Sequence, residues 1–415
     1  MELIKIKPTK LKGKVLVPPS KSLSHRAIIC ASLCNKGESI INNLMLSEDI
    51  KATIQGMKNL GAEIDIIDNK AIIKRSLVYN KNPIIDCRES GSTLRFLIPL
   101  SLVLSDSCSF TGSDKLFERP LNIYYNIFNN KNIYHTLNNP YPLTVKGNLL
   151  SGTYEVLGNV SSQFISGLLF TLPLLNGDST IKIIGDYESK EYVNLTIDIL
   201  KKHLIEIDNI DEKTYFIKGN QDYINSSYTI ESDFSQAAFF LVAKELGNDV
   251  ECLGLNLNSI QGDKEIINII KRYSNKETHE EIIINASQIP DLVPILTVLA
   301  SLKNNKTTII TNAQRLRIKE SDRLQAISNE LNKLGANIEE TTDGLIIKGK
   351  EQLKGNSTVN SWNDHRIAMS LAIAATKCDG DVIIENHLAV NKSYPEFWKD
   401  YEALGGSLNE LHYRK

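Results

Sequence analysis

The sequence predicts a mixed α/β protein in two halves, with helices inside and strands around them. Three observations carry this. One pattern, a short polar cluster running into an apolar helical stretch, occurs six times in 415 residues. The six stretches are apolar almost all round (FISGLLFTLPLL, VPILTVLASL), which marks buried helices and not amphipathic surface ones. Each leads into a small or polar turn and a β-rich run such as NGDSTIKIIGD or DGDVIIENH. Sheets must then pack outside the helices. Six units are too many for one such core, so they divide three and three.

In chain order, MELIKIKPTKLKGKVLV alternates apolar and polar like a strand and lacks the long apolar run of a secretory leader. The helical stretches then start near Ser20, Ser90, Ser161, Ser232, Pro290 and Asn363, most of them about 70 residues apart and one closer. Ser, Thr, Asn or Asp at these starts reads as an N-cap. A second helix often follows, then a hairpin. MKNLGAEIDIIDNKAIIKR, LKKHLIEIDNIDEKTYFIKG and LNKLGANIEETTDGLIIKG are three instances of that ending. Pro18-Pro19 and INSSYTIESD (224–233) are the expected crossings between the halves.

A formal net charge of -2 argues against a general nucleic-acid or membrane-surface binder, so any anion site must be local. No apolar run approaches transmembrane length. A cytoplasmic protein is expected. The cysteines at 30, 34, 87, 108, 252 and 378 form no CxxC pair and no zinc spacing, so reduced and mostly buried thiols are expected, with no metal.

Charge is placed unusually. Only 11 of the 47 basic residues are Arg, yet Arg26, Arg95 and Arg366 each sit in the first turns of a buried helix. A cation there opposes the helix dipole by roughly 0.3–1 kcal/mol. An anion held between helix end and guanidinium would compensate, and converging helix ends would make a positive cleft. Lys21-Ser22 ends like a phosphate loop but follows Pro18 and Pro19 instead of glycines. Further clusters are RLRIKESDRLQA (Arg315, Arg317, Lys319, Glu320, Asp322, Arg323), TGSDKLFERPL (Lys115, Glu118, Arg119) and NKSYPEFWKDYEALGG (Lys392). Asp291 opens an otherwise apolar helix, where capping is the simplest role.

PPSKSLSHR, ESGSTLR, ERP, SSQFISGLL, ESDFSQAAF, IPDLVP, RIKESDRL, NDHRIAM and NKSYPEF, in that order along nearly the whole chain, resemble the enolpyruvyl transferase family. The resemblance implies a two-domain inside-out α/β barrel, each domain three repeated βαβαββ units with buried parallel helices and outer sheets. It implies domains of 19–228 and of 1–18 with 229–415, the N-terminal strand pairing with the second half, and an active site in a cleft that closes over substrates. The implied reaction moves the enolpyruvyl group of phosphoenolpyruvate (PEP) to the 5-hydroxyl of shikimate 3-phosphate through a tetrahedral intermediate, releasing phosphate. This would be a step of the shikimate pathway to aromatic amino acids. The partners would be these two small molecules, with no nucleic acid, no membrane and no cofactor, and the protein a monomer.

By the same resemblance, Lys21 would contact both substrates. Ser22, Arg26, Ser161, Ser162, Gln163, Ser189 and Tyr192 would hold shikimate 3-phosphate, together with Asp291 and Lys319. Gly91, Lys115, Gln163, Arg323, Arg366 and Lys392 would hold PEP. Asp291 would be the base at the 5-hydroxyl and Glu320 the acid or base at the methylene carbon. His25 stands where many members have Asn, Lys115 where Arg is common, Arg315 where some have Asn, and Phe96 where one branch has Pro. A nucleotide-sugar acceptor is disfavoured: such relatives carry Lys-Asn at 21–22 and a reactive Cys near 111–120, and no Cys lies between Cys108 and Cys252.

Overall fold

The structure is a computed structural model that describes residues 2–75, 80–138, 141–274 and 281–412. The chain divides into two compact units, Pro19–Glu231 and the residues up to Pro18 joined by those from Ser232 onward. The second crossing falls just after strand Ser227–Thr229, three residues beyond the expected 228/229 boundary. That strand stays with the first unit because it pairs in parallel with Ser39–Asn42.

Within Pro19–Glu231, three buried helices form as the apolar runs dictate: Lys21–Ser32, Gly91–Leu104 and Ser162–Thr171. Ser20, Ser90 and Ser161 cap them, each side chain accepting a first-turn backbone N–H. Three four-stranded sheets accompany the helices. In one, Gly152–Leu157 runs parallel to Ser179–Ile184, and the hairpin Ile207–Asp211/Thr214–Ile217 completes it in antiparallel fashion. With helices Ser162–Thr171 and Lys190–Lys202 between those strands, the unit is βαβαββ.

Two residues let the helices approach closely. Gly167 is required because a Cβ there would lie 2.5 Å from the Arg95 carbonyl oxygen. Pro99, inside Gly91–Leu104, has no N–H to give the carbonyl four residues back, that of Arg95. The Tyr124 hydroxyl donates to that freed carbonyl at 2.6 Å. One apolar core built from this unit's own residues, from Leu23 to Ile230, results.

The other unit repeats the plan with helices Phe234–Glu245, Val293–Ser301 and His365–Ala375. Asp233 and Asp364 are the observed caps, one residue beyond the expected starts. Strand Glu2–Lys7 lies between Val382–Glu385 and Ser407–His412, antiparallel to both, as the resemblance implied. One repeat is abbreviated. Lys12–Leu16 and Asp249–Leu253 form a two-stranded parallel sheet, with no hairpin added among the described residues. All six cysteines are unbridged and no described helix is long and apolar enough to cross a membrane.

Candidate functional site

Apart from Lys115, the predicted residues of Pro19–Glu231 gather where the buried helices begin. Lys21, at the first position of its helix, has its Nζ 2.7 Å from Asp49 Oδ2. Arg26, one turn on, is 3% exposed. It donates to Thr196 Oγ1 (2.8 Å), to the Ser22 carbonyl (2.7 Å), to the Tyr192 carbonyl (2.8 Å) and, at 3.5 Å, to Ser166 Oγ. None of these acceptors is charged. Burial lowers the guanidinium to about 10. The positive charge that the sequence placed at this helix end is therefore hydrogen-bonded but, among the described residues, not neutralised by a carboxylate. Ser189, buried with φ 52°, precedes helix Lys190–Lys202, which carries both Tyr192 and Thr196 to Arg26.

A second group surrounds Gly91. A Cβ at this position would lie 2.8 Å from one terminal guanidinium nitrogen of Arg95, 3.1 Å from one of Arg119 and 3.5 Å from Gln163 Oε1. Arg95 donates to Gln163 Oε1 (3.0 Å) and to the Pro120 carbonyl (3.2 Å), and Gln163 Nε2 donates to Ser92 Oγ (2.9 Å). Ser161 Oγ accepts the Gln163 backbone N–H at 3.3 Å, and Ser162 is buried beside it. The bare helix start at Gly91 thus faces two buried guanidinium groups and an amide.

Lys115 is not brought to this group. Its Nζ pairs with Glu118 Oε2 at 2.8 Å, and both side chains are more than half exposed. Arg119, four residues on and 7% exposed, is the basic residue of that segment that reaches Gly91. Both residues stood in the same quoted motif. Only the turn Asp114–Phe117 decides which of them points inward.

In the other unit a carboxylate–guanidinium cluster forms. Asp291 lies in the turn Pro290–Leu292 that starts helix Val293–Ser301. Its Oδ1 accepts from Arg323 (2.9 Å) and its Oδ2 from Arg366 (2.8 Å). Asp291 is therefore an ion-pair centre. Burial opposes its ionisation, but Arg366, Arg323 and Lys319 outweigh this and hold it well below the usual carboxylate range.

Arg323, 1% exposed, serves three carboxylates: Asp364 (2.8 Å), Asp291 (2.9 Å) and Glu320 (2.7 Å). Burial disfavours its charge, and those three anions more than restore it. Asp364 does double duty. It caps helix His365–Ala375 through the Arg366 N–H (2.9 Å) and anchors Arg323, a role its capping pattern concealed. Lys392 Nζ donates to the carbonyl of Asn363, directly before that cap. Burial, aided by Arg315 and Arg323 and opposed by Asp291 and Glu320, lowers Lys319 to about 8. Arg315 is buried and donates to the Ser287 carbonyl at 2.5 Å.

Chemically, the first unit presents cations, hydroxyls and helix N-termini suited to phosphate and carboxylate groups. The second presents two carboxylates embedded among fixed cations, suited to moving protons beside developing charge.

Comparison with known proteins is consistent along the chain. A family model described as EPSP synthase (3-phosphoshikimate 1-carboxyvinyltransferase) matches residues 5–401. The chain is 53% identical to the 3-phosphoshikimate 1-carboxyvinyltransferase of Clostridium novyi over 99% of each protein. It is 46% identical to the protein of that name from Clostridioides difficile over 100% of each. In fold it resembles the EPSP synthase of Acinetobacter baumannii, with a TM-score of 0.81 at 22% identity over 99% of this chain and 100% of that one. The chain belongs to the EPSP synthase family.

Proposed function

We infer that this chain transfers the enolpyruvyl group of PEP to the 5-hydroxyl of shikimate 3-phosphate and releases phosphate. Family membership over residues 5–401 supports the reaction. The observation that carries the chemistry is the state of Asp291, a carboxylate kept ionised between two buried guanidinium groups with Glu320 on the same Arg323.

In this proposal Arg26, Ser22, Ser161, Ser162, Ser189 and Tyr192 hold shikimate 3-phosphate, whose anionic groups supply the charge that Arg26 lacks. Gly91, Gln163, Arg119 and Arg95 hold PEP, with Arg119 in the role expected of Lys115. Lys21, Arg323, Arg366 and Lys392 supply further cations, and each unit acts as one enolpyruvyl transferase domain in every turnover. Two phosphates and two carboxylates meet in this reaction, so fixed cations stabilise both the approach and the adduct.

Asp291 in the free protein is a weak base because both its oxygens are engaged. Substrate anions compete for Arg323 and Arg366, free a lone pair and raise its basicity, so it accepts the 5-hydroxyl proton once the substrates are bound. Glu320, protonated from solvent once the substrates draw Arg323 away from it, delivers that proton to the methylene carbon as the hydroxyl attacks. The carboxylate so formed takes a proton back from that carbon as phosphate leaves, restoring the enol ether, and the departing phosphate takes the proton held by Asp291. Lys319 neutralises the shikimate side. We take the protein to act as a monomer in the cytoplasm, where two multiply charged substrates would be retained. A phosphate-release assay with PEP and shikimate 3-phosphate tests the activity: release that needs both substrates supports it, and release with UDP-N-acetylglucosamine alone as acceptor overturns it.

A further inference from the structure

His25 has no place in the proposed site, yet it is fully buried one turn into the Lys21–Ser32 helix. Its Nδ1 lies 2.7 Å from Thr53 Oγ1, on helix Glu48–Asn59. Thr53 Oγ1 lies 2.7 Å from Thr93 Oγ1, which donates to Ser90 Oγ at 2.7 Å. Ser90 is the cap of the Gly91–Leu104 helix, and its Oγ also accepts the Thr93 backbone N–H at 3.1 Å. All four side chains are at 0% exposure. A file of hydrogen bonds thus joins the starts of two buried helices through a third.

The file has one consistent direction. Each threonine hydroxyl has a single proton. Thr93 gives its proton to Ser90, so it accepts from Thr53. Thr53 must then accept from His25, which requires the proton on Nδ1. The buried Nε2, which has no partner among the described residues, is then a bare acceptor. The reverse direction would bury an unpaired Nε2–H, the costlier orphan. The ring is neutral in either case: burial first, then Lys21 and Arg26, lower its pKa well below the ordinary value. Phe96, edge-on to the imidazole at a centroid distance of 6.4 Å, packs against the same ring.

We propose that His25 is a positioning residue: as the sole donor at the head of the His25–Thr53–Thr93–Ser90 file, it fixes the first turn of the Gly91 helix against the Lys21 helix. This rests on placing PEP at Gly91. A displaced Ser90 cap moves Gly91 relative to Arg95, Arg119 and Gln163, so the file acts on that substrate and not on shikimate 3-phosphate.

Steady-state kinetics on the full chain test this. His25→Leu and Thr53→Val each break the file, and each is expected to raise the KM for PEP about fivefold to tenfold, the loss of one buried hydrogen bond. The KM for shikimate 3-phosphate should stay within about twofold. His25→Asn, whose Nδ2 occupies the place of Nδ1, should restore the wild-type KM. The double variant His25→Leu/Thr53→Val should be no worse than the poorer single variant, since one file is broken only once. Unchanged PEP KM in both single variants, equal rises for both substrates, or multiplying effects would overturn the proposal. If His25→Leu does not fold, Thr53→Val and His25→Asn still decide it. Gly91→Ala tests the placement of PEP separately. Should that variant keep its PEP KM, the placement fails, and ¹⁵N spectra of His25 still judge the file: Nδ1–H supports it, Nε2–H overturns it.

Discussion

Replacing Lys319 by Met should make the free protein more stable while abolishing its activity. Lys319 follows the turn Gln314–Ile318 and is partly buried, with Arg315 and Arg323 as nearby cations and Asp291 and Glu320 as nearby anions. Its pKa of about 8 against an ordinary 10.5 is a free-energy cost of the charged form in the folded state. At roughly 1.4 kcal/mol per unit this is about 3 kcal/mol. The cost is present in full below pH 8, where folded and unfolded chains both carry the proton. It is relieved as pH rises from about 8 to about 10.5, because only the unfolded chain still binds that proton. Met keeps the apolar stem and removes the ammonium. With some relaxation of the wild type, a gain of about 1–3 kcal/mol at pH 7 is expected, or about 2–4 °C in Tm per kcal/mol. Unfolding of both proteins between pH 6 and pH 10.5 is the assay, and the difference should shrink at the alkaline end. A less stable variant at pH 7, or a difference that does not change with pH, would refute the reasoning. Saturating shikimate 3-phosphate should reverse the order, because the ammonium then gains a further anion beside Asp291 and Glu320.

Gly91→Ala should raise the KM for PEP at least tenfold, by the loss of about one charge-assisted hydrogen bond. The KM for shikimate 3-phosphate should change less than about threefold, because the added methyl meets Arg95, Arg119 and Gln163, the side chains placed at PEP. Arg119→Ala should weaken PEP by a similar factor, whereas Lys115→Ala should stay within about twofold, as exposed pairs contribute little. The opposite ranking would return the role to Lys115. Asp291→Asn should lower kcat by about a hundredfold or more. Calorimetry should still find shikimate 3-phosphate bound, and turnover near wild type would remove Asp291 from its role.

The six buried helices were legible because an all-round apolar run behind a capping residue admits few other structures. The caps were misplaced by one residue at Asp233 and Asp364, where two capping residues stand side by side. The abbreviated sheet of Lys12–Leu16 and Asp249–Leu253 left no local mark, since a missing hairpin is an absence of pattern. Charge was legible in part. Arg26, Arg95 and Arg366 were visible at helix starts, but their compensation was not. Arg366 meets a carboxylate of its own chain, Asp291, while Arg26 meets only uncharged acceptors. That difference depends on side chains up to 170 residues away, which no spacing rule reaches. The inward turn of Arg119 and the triple load on Arg323 are tertiary facts of the same kind.

Strand Glu2–Lys7 is held between Val382–Glu385 and Ser407–His412. Pro19–Glu231 draws every strand of its sheets from one continuous stretch. During synthesis that stretch has all its parts as soon as residue 231 has emerged. The first strand made must wait, with its apolar face unsatisfied, until the last one arrives. The unit carrying Asp291 and Glu320 is thus assembled late and through long-range closure, the slower kind. A nascent chain would bring the anion-holding residues to readiness before the residues that move protons.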